Sequence, residues 1–142
     1  MKIMRRIIFL FLTMFCISCS AEQLMLYGGA DHKEFLGCIN CTKYDSGSIC
    51  NKYGDQGSKY SDKSIWNRYG AYGSKYEETS PWNKFASNPP VIVDRNGGFY
   101  GFFTANKYQS KRTNIKPLLQ FTDNIDWVTE DLERARDAFC GD

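Results

Sequence analysis

Cysteine is the residue type whose spacing in this sequence most directly suggests chemistry. Four of the six cysteines follow residue 21, and Cys38-Ile39-Asn40-Cys41 has the spacing of a thiol redox pair. Redox cysteines usually stand at a helix N-terminus, where the thiolate is stabilised, whereas this motif follows a predicted strand and enters glycine-rich loops. A zinc site would need a second close cysteine pair. Structural disulfides are therefore the favoured interpretation of Cys38, Cys41, Cys50 and Cys140.

Few other residues offer catalytic chemistry. His32 is the only histidine in the sequence, and it falls in a predicted turn beside Asp31, a usual place for a solvated loop residue. No nucleophile-elbow motif accompanies it, and the glycine pairs lack phosphate-loop spacing. The carboxylates Glu130, Asp131 and Glu133 are expected on the solvated side of a helix. The sequence therefore predicts a protein that is not an enzyme and that uses no cofactor or metal ion.

The first 21 residues predict export. Lys2, Arg5 and Arg6 precede an apolar run over residues 7–17, which is the pattern of a secretory signal peptide. The run is too short to span a bilayer, which takes about 20 apolar residues. We therefore expect the protein in the periplasm or outside the cell, with no transmembrane segment.

Two processing routes are compatible with the end of this signal. Cleavage after Ala21 is favoured, because Cys19 and Ala21 are small residues at the third and first positions before the cut. The segment Cys16-Ile17-Ser18-Cys19 also resembles a bacterial lipobox, in which Cys19 would be lipidated and would anchor the protein to a membrane. Cleavage leaves 15 basic against 16 acidic residues. Because the exported chain is nearly neutral, no nucleic-acid partner is expected.

The exported chain, residues 22–142, is predicted to be one disulfide-stapled α+β domain. Apolar runs around turn residues predict a β-hairpin at 24–40 and a second one at 91–106. A lone hairpin is only marginally stable, so the two are expected to pair in one small antiparallel sheet. Apolar residues at spacings of three and four predict one amphipathic helix over 122–140 that covers a face of the sheet. This apolar stripe consists of Ile125, Val128, Leu132, Ala135 and Phe139, and Thr122 or Asp123 is expected to cap the helix.

The segment between the hairpins, residues 42–90, repeats three times with a period of 16. It contains few aliphatic residues but nine aromatic ones. Its glycine, asparagine and serine residues favour turns, so we expect stacked turns that contact one another through their rings. The positions in register include Tyr44, Tyr60 and Tyr76; Ser48, Ser64 and Ser80; Asn51, Asn67 and Asn83; and Tyr53, Tyr69 and Phe85.

The repeat also suggests a pairing of the cysteines. Cys41 stands where the later copies have glycine, and Cys50 stands where they have tryptophan. If each tryptophan packs over its glycine, a Cys41–Cys50 bond replaces that contact in the first copy. Cys38 would then pair with Cys140 and hold the terminal helix against the first hairpin.

The regularly spaced rings are the best candidates for a binding function. Tyrosine and tryptophan on turns can stack against sugar rings, while asparagine and lysine can bond sugar hydroxyls. The candidate ligand-binding residues are Trp66, Tyr72 and Trp82, and Tyr72 is expected to be the most exposed because its counterpart Gln56 is not aromatic. Alternatively, the rings form the core of the segment, since it offers few other apolar side chains.

One resemblance extends this interpretation. The pattern Asn67-Arg68-Tyr69-Gly70-Ala71-Tyr72-Gly73-Ser74-Lys75-Tyr76 resembles repeats in poorly characterised exported bacterial proteins, some of which carry the repeats after a thermonuclease-like domain. It covers roughly residues 24–106 and implies a small exported accessory module. No nuclease domain is recognised here, so hydrolysis of nucleic acid is not carried over. The predicted function is non-catalytic binding of a glycan or another cell-envelope component. The alternatives are a protein-interaction or inhibitor domain and, third, a small exported enzyme or thiol-redox protein.

Overall fold

The computed structural model describes residues 21–142 and shows an α+β protein. Residues 1–20 of the predicted signal peptide, with its candidate lipidation residue Cys19, lie outside the described residues. Within them, no helix has the length and apolar character needed to cross a membrane. The elements in chain order are β1 (Met25–Gly28), β2 (Glu34–Cys38), β3 (Val91–Val93), β4 (Phe99–Phe102), α1 (Lys116–Asp123), α2 (Ile125–Glu130) and α3 (Leu132–Cys140).

The two predicted hairpins pair in one antiparallel sheet, as expected from the sequence. The strand order is β2-β1-β3-β4, so the first strand of each hairpin lies in the centre. Leu26 lies opposite Ile92 across the central pair, and both side chains are fully buried. The burial of these strands explains why two hairpins that would be marginal alone are stable together.

Each outer strand contains a glycine in a conformation that other residues rarely adopt. Gly37 in β2 has φ 125°, and Gly101 in β4 has φ 96°. The register of each hairpin shifts in this region. A Cβ on Gly101 would lie 2.8 Å from the backbone of Thr113, because residues 111–113 run closely alongside β4. The glycines therefore allow another segment to cover each edge of the sheet.

Residues 42–88 form successive short turns rather than a helix or a strand. In most of these turns, a backbone N–H donates to the carbonyl three residues earlier. Serine and asparagine side chains add a second bond, which is the behaviour expected of these residues in turns. Asn67, for example, accepts from the N–H of Tyr69 at 3.1 Å and donates to the carbonyl six residues earlier at 3.1 Å. Asn51 and Asn83 make the same two bonds.

The core lies where this turn segment meets the helices and the sheet. Trp66 and Trp82 are each 1% exposed, and their rings stack with centroids 5.5 Å apart. Each indole N–H donates to a backbone carbonyl 17 residues earlier, at 2.8 and 2.6 Å respectively. A buried indole N–H usually keeps a hydrogen-bond partner, and these two bonds hold each tryptophan against the earlier turn that supplies the carbonyl. Phe121 and Phe139 pack against the indoles from the helical side.

The prediction of one continuous helix over 122–140 is wrong. The helical region begins earlier, at Lys116 with Pro117 in the first turn, where the missing proline N–H has no cost. It then breaks at Asn124 and at Asp131. Asp131 has extended backbone, and its carboxylate accepts from the N–H of Arg134, which makes it the cap of α3.

The predicted caps and apolar stripe have different outcomes. Thr122 does not cap a helix, because it lies buried within α1 and its hydroxyl donates to the Leu118 carbonyl at 3.2 Å. Asp123 is the last residue of α1. The apolar stripe is confirmed: Ile125, Val128, Leu132 and Ala135 are buried, and Phe139 packs against the core.

The four cysteines after residue 21 all form disulfides, as predicted, but the predicted pairing is wrong. The bonds join Cys38 to Cys41 and Cys50 to Cys140. The predicted pairing assumed that each tryptophan packs over the glycine nine residues before it. Instead, Gly57 packs against the backbone of Asn51, where any Cβ would collide with the carbonyl group.

Cys50 does occupy the same position of the repeat as Trp66 and Trp82, but the side chains at this position face the helices. Trp66 contacts Phe139 with ring centroids 6.2 Å apart. Cys50 therefore meets the residue that follows Phe139, Cys140, and the disulfide replaces an indole contact with α3. This bond joins the turn segment to the end of the chain.

Candidate ligand-binding site

The structure places the three predicted ligand-binding rings in packing positions. Trp66 and Trp82 lie in the core, so a ligand could stack on them only if the core opened. Tyr72 is half-buried, packs against the core, and lies beside Gly28 of the sheet. Burial raises the pKa of its hydroxyl. These three rings hold the turn segment together, and the binding surface has to be sought among the other rings.

Six other rings of the turn segment are exposed to solvent. Their exposed fractions run from 75% to 98%, and a lysine or arginine precedes each of them in the sequence. We call them the aromatic rows: Tyr44, Tyr60 and Tyr76 form the first row, and Tyr53, Tyr69 and Phe85 form the second.

A seventh exposed ring, which was not predicted from the sequence, lies in a turn of the same kind outside residues 42–90. Tyr108 is 86% exposed and follows Lys107. Asn106 accepts from the N–H of Tyr108 at 3.0 Å and donates to the Ala86 carbonyl at 2.9 Å. These bonds match those of the earlier asparagines, although the second hairpin separates this turn from them. The short pattern Asn-Lys-Tyr is the signal that could have revealed it.

The cation that precedes a ring also lies against that ring in four cases. The Nζ atoms of Lys59 and Lys75 lie 5.3 Å from the ring centroids of Tyr60 and Tyr76. Lys43 and Arg68 make the equivalent contacts with Tyr44 and Tyr69. A cation at this distance is attracted by the π electrons of the ring. A cation therefore lies beside each of these rings, while more than 80% of the surface of each residue stays exposed to a ligand.

The aromatic rows and the helices α2 and α3 enclose a line of concavities. The largest, of 640 Å³, lies between Tyr60, Tyr69 and residues 129–133. The next, of 320 Å³, extends from Tyr69 to Tyr76, and a third, of 500 Å³, extends from Tyr76 to Phe85. Each concavity shares a ring with the next, so the three lie in succession, and together we call them the aromatic groove. A separate concavity of 470 Å³ between Tyr44 and Tyr53 lies at the end of the chain near Asp142.

Carboxylates of the helical region pair with cations of the aromatic rows. Lys59 lies 2.7 Å from Glu133, and Lys84 lies 2.7 Å from Asp126. The hydrogen bond to Glu133 raises the pKa of Lys59, and the hydrogen bond from Lys84 lowers the pKa of Asp126. Both signs of charge therefore line the groove. Lys43 and Lys52 make similar pairs with Asp142 and Asp137.

The asparagines that were expected to bond sugar hydroxyls already have partners within the protein. In Asn51, Asn67 and Asn83, the amide oxygen accepts from one backbone N–H and the amide nitrogen donates to a backbone carbonyl. These bonds use one of the two N–H donors of each amide. The other groups that can bond to a ligand are the tyrosine hydroxyls, the lysines and arginine of the rows, and the helix carboxylates. Glu130, Asp131 and Glu133 are exposed, as predicted, and line the largest concavity.

The histidine and the cysteines that were considered for catalysis lie outside the aromatic groove. His32 is half-buried rather than solvated, since its Nε2 lies 3.0 Å from the Pro89 carbonyl and its ring contacts Phe102. Cys38 is 2% exposed and ends a strand, not a helix N-terminus. Between residues 21 and 142, no cluster of three or more histidine, cysteine, aspartate or glutamate side chains is arranged to hold a metal ion.

The exposed rings could have been distinguished in the sequence by the lysine or arginine before each of them, because Trp66 and Trp82 follow Ile65 and Pro81 instead.

No protein-family model, curated protein or solved structure matches the chain. The geometry of the described residues is therefore the basis for a functional interpretation.

Proposed function

We propose that the protein is a non-catalytic exported module that binds a glycan of the cell envelope through its aromatic rows. The observation that carries this proposal is the regular exposure of six large rings, four of which line the aromatic groove. Exposed apolar area is unfavourable in water, and an extended patch of it on a monomer usually marks a binding surface. The predicted signal peptide and the two disulfides support an exported location.

The composition of the groove favours a carbohydrate. A sugar ring has an apolar face of C–H groups and a rim of hydroxyls that both donate and accept hydrogen bonds. The open faces of Tyr60, Tyr69 and Tyr76 match the apolar face. The Lys59–Glu133 pair can donate to one hydroxyl and accept from another, so both members keep a partner when the ligand binds.

The proposal is tested by measuring how polysaccharides co-sediment with the purified exported protein. The panel comprises chitin, cellulose and peptidoglycan, and the variant combines Tyr60→Ala, Tyr69→Ala and Tyr76→Ala. We expect the wild type to bind one polymer and the triple variant to bind it at least tenfold more weakly. Because each ring is more than 80% exposed, each substitution should change the free energy of unfolding by less than about 0.5 kcal/mol.

The matched control is Phe99→Ala, which removes a ring that is 51% exposed on β4, outside the aromatic rows. It should bind like the wild type. If the wild type binds no polysaccharide of the panel, or if Phe99→Ala weakens binding as much as the triple variant, the proposal fails.

A protein-interaction domain is the second candidate, and one observation favours it. Trp127 is 42% exposed and borders a concavity of 630 Å³ that Ile39, Phe121 and Phe139 also line. Arg134 lies 4.7 Å from the Trp127 ring centroid, and tryptophan and arginine are enriched at protein interfaces. In this case Trp127→Ala would abolish capture of the partner, and the triple tyrosine variant would not.

A further inference from the structure

We infer that the ligand is a linear polysaccharide of low net charge that lies along the aromatic groove and contacts at least three turns at once. This inference rests on the proposed function and narrows it to a class of glycan. It depends on two separate features of the surface, the direction of the groove and its balance of charge.

The groove runs across the turns rather than along any one of them. Trp66 and Trp82 occupy equivalent positions 16 residues apart in the sequence, and their ring centroids lie 5.5 Å apart. Tyr69 belongs to both the first and the second concavity, and Tyr76 to both the second and the third. Thr129 lines all three. A compact ligand would fill one concavity and leave other rings bare, whereas a chain can contact successive rings with successive sugars.

The charge of the groove disfavours a polyanion. Lys59 and Lys84 are held by Glu133 and Asp126, so an anionic ligand would have to break these pairs and would then face the freed carboxylates. Among residues 21–142, Arg68 and Lys75 are the groove cations for which no ion pair is found. Residues 22–142 also carry 15 basic against 16 acidic side chains, so there is no general attraction for anions.

Single-stranded nucleic acid is the other polymer that stacks on rows of aromatic rings. Its binding usually needs a positively charged groove that follows the phosphates. The carboxylates Glu130, Asp131 and Glu133 at the wall of the largest concavity oppose that requirement. Uncharged sugars avoid the repulsion, because their hydroxyls can bond to either sign of charge.

The test compares affinities for chains of different length by isothermal titration calorimetry. The probes are chito- and cello-oligosaccharides of two, four and six units, with carboxymethylcellulose and a thymidine homopolymer as anionic polymers. We expect the affinity for the matching series to rise at least tenfold from two to six units, since linked contacts reinforce one another. We also expect binding to change less than twofold between 20 and 300 mM NaCl.

Single substitutions show whether the gain in affinity with oligosaccharide length comes from contacts with successive turns. Tyr76→Ala should weaken binding of the six-unit chain at least fivefold and bring it close to the four-unit chain, while Phe99→Ala should leave the length dependence unchanged. If the two-unit and six-unit chains bind equally well, this inference is overturned and the proposed function stands. If carboxymethylcellulose or the thymidine polymer binds more strongly than the uncharged oligosaccharides, and in a salt-sensitive way, the inference that the ligand has a low net charge is overturned. No binding to any saccharide would overturn the proposed function itself.

Discussion

Removal of the Cys50–Cys140 bond should destabilise the protein much more than removal of the Cys38–Cys41 bond. The first bond joins residues 90 apart in sequence, and the second joins residues 3 apart. In the chain-entropy account, a cross-link stabilises the folded state by restricting the unfolded chain, and the effect grows with the logarithm of the loop length. These separations correspond to about 4.6 and about 1.6 kcal/mol at 25 °C. The expected difference is therefore about 3 kcal/mol.

The assay is urea denaturation of two variants, Cys50→Ala/Cys140→Ala and Cys38→Ala/Cys41→Ala, followed by tryptophan fluorescence and circular dichroism. The two pairs are matched controls, since each contains one buried and one partly exposed cysteine. A typical domain has only about 5–15 kcal/mol of stability, so the first variant is expected to unfold at a much lower urea concentration than the second. Equal losses, or a larger loss for Cys38→Ala/Cys41→Ala, would refute the reasoning.

Two further predictions concern the turn segment and the chain end. Gly57→Ala should lower the free energy of unfolding by about 1–3 kcal/mol, measured by urea denaturation, because the new Cβ would collide with the backbone of Asn51. Gly47→Ala is the control and should cost less, because its Cβ would meet its nearest atoms at 3.4 Å. Equal losses for the two variants would contradict this prediction. The Asp142 carboxyl should titrate below its ordinary pKa of 3.8 by NMR, because Lys43 donates to it. Since this pKa is lower in the folded state, the stabilisation is present above the unfolded pKa and is lost as the pH falls through the folded one. Lys43→Met should return the pKa toward 3.8, and an unchanged value would disprove the assignment.

Local patterns were sufficient to predict the sheet. Each hairpin has its own turn residues, and the instability of a lone hairpin implied that the two would pair, as Leu26 and Ile92 do. The apolar stripe of the helical region was also predicted correctly. The breaks at Asn124 and Asp131 were missed because the spacing of the stripe continues across them, while the backbone at Asp131 is extended.

The exposed rings were harder to predict, because buried and exposed rings occupy locally similar turns. The N–H of Tyr60 donates to the Ser58 hydroxyl at 3.2 Å, and the N–H of Trp66 donates to the Ser64 hydroxyl at 3.1 Å. Nothing in these bonds distinguishes the ring that faces solvent from the ring that faces the core. The cation before Tyr60 is the remaining local signal.

The sequence by itself determined the elements whose signals are local: the two hairpins, the turn-forming middle segment, the apolar stripe and the participation of four cysteines in disulfides. Only the tertiary structure decided the cysteine partners and the exposed side of the turn segment. The physical reason is that both depend on where the helices pack. The helices cover the side of the turn segment that contains Trp66, Trp82 and Cys50, so Cys140 reaches Cys50. The rings at other positions of the turn segment stay exposed, and several of them border the open groove.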